Sequence, residues 1–330
     1  MTLAYFARRA VFSVFLVFAV SSASLLLASL APGDYVTGLM GPGADQRTIA
    51  EARKRLGLDR SIGAQYVSWL VRAAHFDFGE SLQYNRPVTD LIPERAANTA
   101  ILALSALAVA TLVGLPLGVV TGSYEGRMGG KGRMGRKGAK GRIGGIVVGA
   151  IRSASLVLLS LPPLLTSLFL VFVAARTGLL PIGGMTSSNG GDLLSHMIVP
   201  VAALALPLAA MFERLQSQAM SEVAGQPFVI ATLGRGVPLS RVIWRDALKN
   251  ALRPIASVYG LVIGTLLSGS FAVEAITAWP GLGQLMLNAL RARDVYLVTG
   301  CAAAGSIFLA AGTLMSDAAL ALVDPRTAHR

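Results

Sequence analysis

Apolar residues gather in six runs along the 330-residue chain, and polar stretches separate these runs. Each run has about the 20 residues that an α-helix needs to cross the hydrocarbon core of a membrane. A helix satisfies its own backbone hydrogen bonds in lipid, so the pattern predicts an all-α membrane protein with six transmembrane helices. The predicted spans are about residues 10–30, 99–121, 152–175, 193–212, 255–276 and 295–315.

Prolines lie inside the second, third and fourth spans, where we expect them to kink the helices. Such prolines are tolerated in membrane helices because neighbouring helices and side chains satisfy the freed carbonyl groups. They are Pro116, Pro162, Pro163, Pro200 and Pro207. Two glycine pairs at a spacing of four residues predict close contacts between helices. These pairs are Gly114 with Gly118 and Gly260 with Gly264.

The first span has a second interpretation as a signal peptide, because Arg8 and Arg9 precede its apolar run. The run extends to Leu30, which is long for the apolar part of a signal peptide, and no small-residue cleavage site precedes residues 32–34. We therefore predict that the span is retained as a membrane helix. Its removal would change the topology.

Composition agrees with a membrane protein. Charged residues make up 14% of the chain and apolar residues 54%, whereas soluble domains carry about 25% charged residues. The one cysteine, Cys301, cannot form an intrachain disulfide, so the sequence leaves the redox compartment open.

The distribution of charge predicts which side of the membrane each loop occupies. If both termini are cytoplasmic, 18 of the 29 lysines and arginines lie on the cytoplasmic side, together with 6 of the 17 acidic residues. The whole net charge of +12 then falls on that side. The basic residues of the two short outer segments are Arg176, Arg291 and Arg293. Because short cytoplasmic loops are enriched in Lys and Arg, both termini are predicted to be cytoplasmic.

Residues 32–98 form the one sizeable segment predicted outside the membrane, and their charges balance. Residues 46–57 and 63–76 have the patterns of short helices, and the second helix would place Tyr66, Trp69 and Leu70 on one face. A segment of this length can form a small cap but not a large core. Two interpretations stay open: a structural lid over the helices, or a surface that receives a solute from outside.

The basic, glycine-rich stretch 123–145 is predicted to be a flexible cytoplasmic loop. Gly130, Gly132 and Gly135 match a dinucleotide fingerprint in spacing. No strand precedes them and no acidic residue follows about 20 positions on, so the match carries no function. Anionic lipid headgroups would be attracted by the positive charge. Nucleic acid is not expected, because no aromatic residues interleave the bases.

Several catalytic and binding signatures are absent from the sequence. There is no P-loop for ATP and no G-x-S-x-G nucleophile turn. The histidines His75, His196 and His329 do not have metal-ligand spacing. A proton-driven carrier would place ionisable groups near the middle of the membrane, whereas Glu274 and Asp317 lie near the ends of their predicted spans.

The polar loop 213–254, between the fourth and fifth spans, is the most informative part of the chain. Residues 222–229 predict a short helix that Pro227 interrupts, and Gly234-Arg235-Gly236 breaks the chain. Residues 239–252 predict an amphipathic helix with Trp244 as an interfacial anchor. The apolar stripe of that helix is Val242, Ile243, Ala247, Leu248, Ala251 and Leu252. The pattern predicts two short helices joined at a glycine corner, which can seat in a pocket of a cytoplasmic partner.

A series of short motifs runs in order through the chain. The outer segment contains Pro32-Gly33-Asp34, Leu56-Gly57-Leu58-Asp59, Gln65-Tyr66, Trp69-Leu70, Asp77-Phe78-Gly79-Glu80-Ser81, Pro87-Val88 and Asn98-Thr99. The later motifs are residues 245–254, Glu274, Trp279-Pro280-Gly281-Leu282-Gly283, Arg293-Asp294 and Asp324-Pro325-Arg326. In this order they resemble the membrane subunit of bacterial ABC importers of the dipeptide/oligopeptide/nickel class. One departure is that Ile230-Ala231-Thr232 stands where the broad importer consensus has Glu-Ala-Ala.

The resemblance implies a type I ABC importer permease fold in four parts. Residues 1–31 would hold the N-terminus and first transmembrane helix, and residues 32–98 an extracytoplasmic helical segment. Residues 99–323 would form the permease core, which contains the loops 123–145 and 213–254. Residues 324–330 would be a cytoplasmic tail.

The resemblance also implies a set of partners in the bacterial plasma membrane. An extracytoplasmic solute-binding protein would deliver the solute, a second homologous permease chain would complete the pathway, and two cytoplasmic ATPase subunits would supply the energy. Those ATPases would hold ATP and Mg, so this chain would not be an enzyme and would bind no cofactor or metal. The residues expected to contact an ATPase are Glu222, Pro227, Phe228, Val229, Ala231, Gly234, Arg235 and Gly236. The family signature residues are Asp77, Gly79, Glu274, Pro280, Gly281, Gly283, Arg293 and Asp294.

Alternatives remain at this point. The cargo is di- or oligopeptides, or else nickel or another small solute carried by the same fold. An ion-coupled secondary transporter would show acidic residues at mid-membrane and internal repeats, which the sequence lacks. A lipid-binding scaffold built on the basic loop would leave residues 222–283 unexplained.

Overall fold

The computed structural model describes residues 3–31, 33–40, 45–55, 58–73, 75, 77–129, 139–181, 183–184 and 190–323. The chain divides into two compact units. Unit 1 comprises Leu102–Ile263 and Gly312–Arg330, and unit 2 comprises Thr2–Ile101 and Gly264–Ala311.

The described part of the chain is almost entirely helical. In chain order its α-helices are α1 (Leu3–Leu30), α2 (Tyr35–Met40), α3 (Gln46–Arg55), α4 (Ile62–Ala73), α5 (Val88–Gly129), α6 (Ala139–Ser160), α7 (Pro163–Thr177), α8 (Gly190–Ala224), α9 (Pro227–Gly234), α10 (Leu239–Arg241), α11 (Leu248–Ala251), α12 (Arg253–Thr277), α13 (Leu282–Ala292) and α14 (Val295–Val323). A π-helical segment, Val242–Ala247, lies between α10 and α11. The strands β1 (Glu80–Ser81) and β2 (Arg86–Pro87) pair antiparallel between α4 and α5, with Ser81 opposite Arg86.

Five helices of the described part contain segments long and apolar enough to cross a membrane. These segments are Ala7–Leu30, Val88–Tyr124, Ile143–Ser160, Leu193–Ala224 and Val295–Met315. α12 provides a sixth if Arg253–Leu266 and Gly269–Thr277 count as one bent span. Large apolar side chains such as Phe15, Leu112 and Leu194 are exposed on these helices, as surfaces that face lipid require. The prediction of an all-α protein with several membrane spans is confirmed.

The third predicted span, residues 152–175, is wrong as a single helix. α6 begins at Ala139 and ends at Ser160, and α7 begins at Pro163. Two prolines in a row stop α6, whereas a proline at the first position of α7 costs nothing because that amide has no partner within the helix. The membrane-length segment is therefore Ile143–Ser160, and α7 is a separate apolar helix of 15 residues.

Two predicted loops are shorter in the structure. α5 continues to Gly129 and α6 begins at Ala139, so helices replace both ends of the predicted loop 123–145, and residues 130–138 lie outside the described part. α8 continues to Ala224, so Glu213 is helical and buried instead of starting a loop. The apolar pattern ends near residue 212, but the helix does not, because polar residues are compatible with helix wherever another helix covers them.

The two helices predicted in the outer segment are confirmed as α3 and α4. Trp69 is fully buried, its ring stacks on Tyr66 at 6.3 Å, and the Tyr66 hydroxyl donates to Ser22 Oγ of α1 at 3.1 Å. α4 is therefore docked on α1. The short α2 and the hairpin were not predicted, because elements of six and two residues show no usable periodicity. Motif residues 32, 56, 57 and 324–326 lie outside the described residues.

In unit 1, α5 and α8 pack closely along a line of glycines on α5. A Cβ atom on Gly114 would lie 2.5 Å from the carbonyl oxygen of Ala209, and one on Gly118 would lie 2.5 Å from Gln216 Cβ. Gly122 continues the line against the backbone of Ser217. The contact predicted from Gly114 and Gly118 is thus confirmed, and Gly122 extends it by one turn. Membrane helices approach this closely only where side chains are absent.

We expect Gly118→Val to destabilise the protein because the new side chain would overlap α8. Overpacking of this kind costs about 1–3 kcal/mol, which corresponds to a fall of roughly 2–6 °C or more in the melting midpoint of a chain of this size. Gly149→Val on α6 is the matched control, since a Cβ atom there meets nothing within 4 Å. Equal midpoints for the two purified variants in detergent would contradict the close α5–α8 contact.

Candidate functional site

The first candidate site is the α9–α11 element, residues 227–251 in unit 1. α8 ends at Ala224, Gln226 adopts an extended conformation, and Pro227 starts α9 at a position that needs no amide hydrogen. α9 ends at Gly234, and Gly236 has a φ of +82°. This positive φ turns the chain towards α10 and is a conformation that glycine adopts without a steric penalty. The glycine corner between two helical stretches is confirmed. The predicted bounds of the first short helix, residues 222–229, are wrong, because residues 222–224 end α8 and Pro227 starts a new helix.

The α9–α11 element is anchored by a buried apolar cluster. Val229 of α9 and the residues Val242, Ala247 and Ala251 supply the element's side of the cluster. Val119 of α5 and three residues near the end of α8 supply the other side, namely Ala219, Met220 and Val223. Ile243 and Leu248 of the predicted apolar stripe pack against the cluster while partly exposed. The element is therefore a rigid extension of α5 and α8 and not a loose loop.

The opposite face of α9 is apolar and exposed. Phe228, Ile230 and Leu233 are 36%, 62% and 40% exposed, and Ala231 is exposed between them. Exposed apolar residues this close together on a short helix typically mark a contact with another molecule. At the end of the helix, Arg235 donates to Thr232 Oγ1 at 3.0 Å, and Thr232 donates to the carbonyl of Phe228 at 2.7 Å.

The structure sorts the eight residues predicted to contact an ATPase. Seven of them are exposed on or beside α9: Glu222, Pro227, Phe228, Ala231, Gly234, Arg235 and Gly236. Val229 is 5% exposed, and its side chain packs in the anchoring cluster. Ile230, which departs from the broad importer consensus, and Leu233 complete the exposed face, although neither is among the residues predicted to contact an ATPase. The signal that could have identified Ile230 and Leu233 is the apolar sequence of residues 228–233, which is too apolar for one face of a short surface helix to bury.

The π-helical segment Val242–Ala247 was not predicted. It buries Val242 and Ala247, which are five residues apart, and it leaves Trp244 half exposed. A π turn is closed by hydrogen bonds between residues five positions apart, and it occurs mostly as a single turn inside an α-helix, frequently at a functional site. Its sequence is that of an ordinary amphipathic helix, because the wider turn is imposed by packing against the anchoring cluster.

The second candidate site lies in unit 2, around the buried carboxyl group of Glu274. Thr99 Oγ1 and Ser270 Oγ donate to Glu274 Oε1 at 2.8 and 2.9 Å, and the Gly283 amide donates to Oε2 at 2.7 Å. Glu274, Thr99 and Ser270 are fully buried. A buried carboxyl group is stable only when its oxygens accept such hydrogen bonds.

The same network fixes the turn between α12 and α13. Trp279 Nε1 donates to the carbonyl of Asn98 at 3.1 Å, and Asn98 Nδ2 donates to the carbonyl of Pro280 at 2.9 Å. The Leu282 amide donates to Thr99 Oγ1 at 2.8 Å. These bonds join the Asn98-Thr99 and Trp279-Pro-Gly-Leu-Gly motifs, which are about 180 residues apart in the chain.

Both glycines of that turn are required by close approach. A Cβ atom on Gly281 would lie 2.6 Å from Thr99 Oγ1 and would overlap the carboxyl group of Glu274. A Cβ atom on Gly283 would overlap the backbone of Phe271. The signature glycines therefore allow Glu274 and the turn to be in contact.

Asp294, a second buried carboxylate, ties the hairpin to α14. It accepts hydrogen bonds from Ser81 Oγ at 2.6 Å and from the Gln83 amide at 3.1 Å. Its other oxygen accepts from the Leu297 amide at 3.1 Å in the first turn of α14. Asp294 thus caps a helix and holds a loop more than 200 residues away in sequence.

The remaining signature residues surround this contact. Asp77 accepts from the Gly79 amide at 2.8 Å, and Gly79 has a φ of +94° and faces the ring of Tyr296. Arg293 has a φ of +58° at the end of α13, and its guanidinium covers Gly33. The signature residues therefore all lie in unit 2, in separate hydrogen-bonded groups around Glu274, Asp294 and Asp77, whereas the residues expected at an ATPase lie in unit 1.

An ion pair next to Arg293 supports the chain segment after α1. Arg53 Nε lies 2.5 Å from Asp34 Oδ2, and Thr37 donates to the same carboxylate. Burial raises the pKa of Asp34, but the hydrogen bonds from Arg53 and Thr37 outweigh burial, so its net pKa is lower than usual. Within the described residues, no three His, Cys, Asp or Glu side chains are grouped as a metal site would require.

Comparisons with known proteins agree with this arrangement. Residues 2–103 match the N-terminal part of the membrane component of binding-protein-dependent transport systems, and residues 114–329 match the family described as binding-protein-dependent transport system inner membrane component. The chain is 30% identical over 329 residues to the oligopeptide transport system permease protein AppB of Bacillus subtilis (strain 168), with 98% of each chain covered. It is 28% identical over 332 residues to a protein of Brucella suis biovar 1 that is named as a peptide permease, again with 98% of each chain covered. The chain therefore belongs to the family of binding-protein-dependent transport system inner membrane components.

Proposed function

We propose that this chain is one of two permease subunits of an ATP-driven importer of di- or oligopeptides, and that α9 is its contact with a cytoplasmic ATPase. The names of the similar proteins favour peptides over nickel as the cargo. Family membership makes the chain a transport component and not an enzyme, in a system that includes an ATPase and a solute-binding protein. ATP and Mg are held by the ATPase subunits in this proposal, and both termini of the chain are cytoplasmic.

The single observation that carries the proposal is the two-faced character of α9. One face is locked into unit 1 through Val229, and the other presents Phe228, Ile230 and Leu233 to a partner. A helix that only lay on the surface of the membrane protein would not expose this much apolar area to water. A helix that transmits the movement of a partner needs an apolar face that binds the partner and a rigid attachment to the rest of its own chain.

The anchoring cluster provides the means of transmission. Because Val229, Val242 and Ala251 pack on the ends of α5 and α8, a displacement of α9 must displace those helices too. Close-packed cores transmit such shifts instead of absorbing them. In this proposal, ATP-driven closure of the two ATPases moves α9, and α5 and α8 follow.

The Glu274 network has a structural role in this proposal. The donors to Glu274 include Thr99, Ser270 and the Gly283 amide, which are neutral groups. An ion-coupled carrier would instead need a carboxyl group that exchanges its proton during transport. The segment 32–98 then lies outside the membrane, where it can meet the solute-binding protein.

We expect Gly236→Ala to reduce ATP-driven peptide uptake. A Cβ atom at this position meets nothing within 4 Å, so the effect arises from the positive φ alone. Forcing a residue with a Cβ atom into that conformation costs about 1–2 kcal/mol, which lowers the equilibrium ratio of correct to incorrect corners by about 5–30-fold. The measurement is uptake into proteoliposomes that contain the complete importer.

Gly178→Ala is the matched control for that prediction. Gly178 also has a positive φ, of +65°, and open space around its Cβ position, but it ends α7. It carries the same backbone strain without altering the corner next to α9. Similar loss of uptake in both variants would show that the Gly236 effect is general destabilisation and would contradict the proposed role of the corner.

Substitutions of Glu274 should separate a structural role from a proton-carrying one. Glu274→Ala leaves the Gly283 amide without an acceptor in a buried site, at a cost of about 1–3 kcal/mol, and the melting midpoint of the complex should fall by about 2 °C or more. Glu274→Gln retains an acceptor for that amide, while its NH₂ group can donate to the hydroxyls of Thr99 and Ser270. We expect Glu274→Gln to keep most of the uptake activity. A normally assembled Glu274→Gln complex without uptake would contradict the structural role.

A further inference from the structure

A polar cavity lies between α6 and α8 in unit 1, and Glu222 is the one of its described lining residues that is also expected to contact an ATPase. Its volume is about 550 Å³, which is within the roughly 300–1,000 Å³ of small-molecule sites. α6 contributes Arg152 and Ser155, and α8 contributes one face of the helix between Glu213 and Glu222. α6 contains a membrane-length apolar segment at this point, whereas α8 passes here from its apolar run into polar sequence.

The charged side chains that line this cavity call for an explanation. An ionisable side chain within a membrane-spanning helix is costly, and it usually marks the path of a substrate or ion. The cavity wall nevertheless includes Arg152 from the segment Ile143–Ser160, and it includes Glu213 and Arg214 at the point where the apolar run of α8 ends. The anchoring cluster contains none of these charged residues.

Two side chains of the wall are fixed and ready for a ligand. The Glu213 side chain is 2% exposed, and Thr121 of α5 donates to its Oε1 at 2.7 Å. Ser217, one turn further on, is also 2% exposed, and its Oγ has no hydrogen-bond partner among the described residues. A buried hydroxyl group without a partner is unusual and points to a missing polar group in the cavity.

The charges of the wall have both signs. Glu213 and Glu222 are acidic, and Arg152 and Arg214 are basic. A wholly anionic or cationic ligand would be repelled by half of these groups. A peptide with free ends carries an ammonium group at one end and a carboxylate at the other, and a tripeptide spans about 10 Å. Leu156 and Leu159 add apolar surface to the same wall for its side chains.

We propose that this cavity binds the peptide in transit by its two charged ends, with the ammonium group on Glu213 and the carboxylate on the arginine pair Arg152 and Arg214. This inference rests on the proposed function, because it takes peptides as the cargo. Ser217 offers a hydroxyl group to the peptide backbone. Because only the two ends of the peptide are recognised, its side chains are not, and the site accepts peptides of different sequence.

The test is binding of an equimolar tripeptide mixture to the complete complex in nanodiscs, without the solute-binding protein, with and without ATP. Retained peptides are counted by mass spectrometry in three forms: with free ends, N-acetylated and C-amidated. Glu213→Gln keeps the size of the side chain and an acceptor for Thr121 but removes its charge. We expect it to weaken retention of the free and C-amidated forms about tenfold, as loss of a charge-assisted bond does. It should leave the N-acetylated form unchanged.

The arginines should show the reciprocal pattern. The double variant Arg152→Gln, Arg214→Gln should weaken retention of the free and N-acetylated forms and leave the C-amidated form unchanged. Arg176→Gln is the control, since Arg176 lies on α7 beside Phe172 and outside the cavity. Equal losses for all three forms, no losses at all, or no retention by the parent complex in either nucleotide state would overturn the inference.

Failure of the inference and failure of the proposed function give different results. The parent complex with its solute-binding protein is assayed for import of the same tripeptide mixture into proteoliposomes. If the mixture is imported but the variants retain all three peptide forms as the parent does, peptide binding in the cavity is rejected and the peptide-importer function is retained. Absence of import of any tripeptide rejects the peptide-importer function itself.

Discussion

The structure depends on one buried apolar contact, in which the α9–α11 element packs on the ends of α5 and α8. Eight buried residues form this contact, and five of them are valines or a methionine, whose side chains fill the space between the helices. Polar residues 213–254 would otherwise be a mobile loop, and a mobile loop cannot transmit force. The contact forces the element into a defined geometry, which includes a π-helical segment and a glycine corner with positive φ. It also determines which face of α9 stays free, and this free apolar face is the basis for assigning α9 to a partner.

In unit 2, buried polar groups and not apolar packing hold distant chain segments together. Glu274 and Asp294 are fully buried, yet each is surrounded by donors from chain segments that are far away in sequence. Removing such a carboxyl group would leave its donors without acceptors, and this cost ties the turns to the helices more specifically than apolar packing can. The glycines of the Trp-Pro-Gly-Leu-Gly turn follow from the same contact, because any side chain there would collide with Glu274 or Phe271.

Much of this architecture could be predicted from the sequence, and the errors have physical causes. Apolar runs predicted helical membrane spans, of which the described part contains five, or six if α12 counts as one bent span. The pattern at residues 222–252 predicted the glycine corner but misplaced the helix before it. The ends of helices were not predictable, because helices such as α8 continue into polar sequence when another helix covers them, and Glu213 was misplaced for this reason. The separate helices α6 and α7 were merged into one span because apolar content continues across Pro162. The buried role of Val229 and the polar cavity could not be predicted, since both depend on which helices meet in three dimensions.

The most direct test of the central claim is photo-crosslinking from the free face of α9 in the assembled importer. The native Cys301 is buried, so Ile230→Cys, at a position that is 62% exposed, supplies an accessible thiol for a benzophenone maleimide. Leu179→Cys, at a position that is 82% exposed after α7, is the control on the side predicted to be extracytoplasmic. The account predicts a crosslink to an ATPase subunit from residue 230 and none from residue 179. A complex that imports peptides but gives no ATPase crosslink from residue 230, or gives one from residue 179, would contradict it.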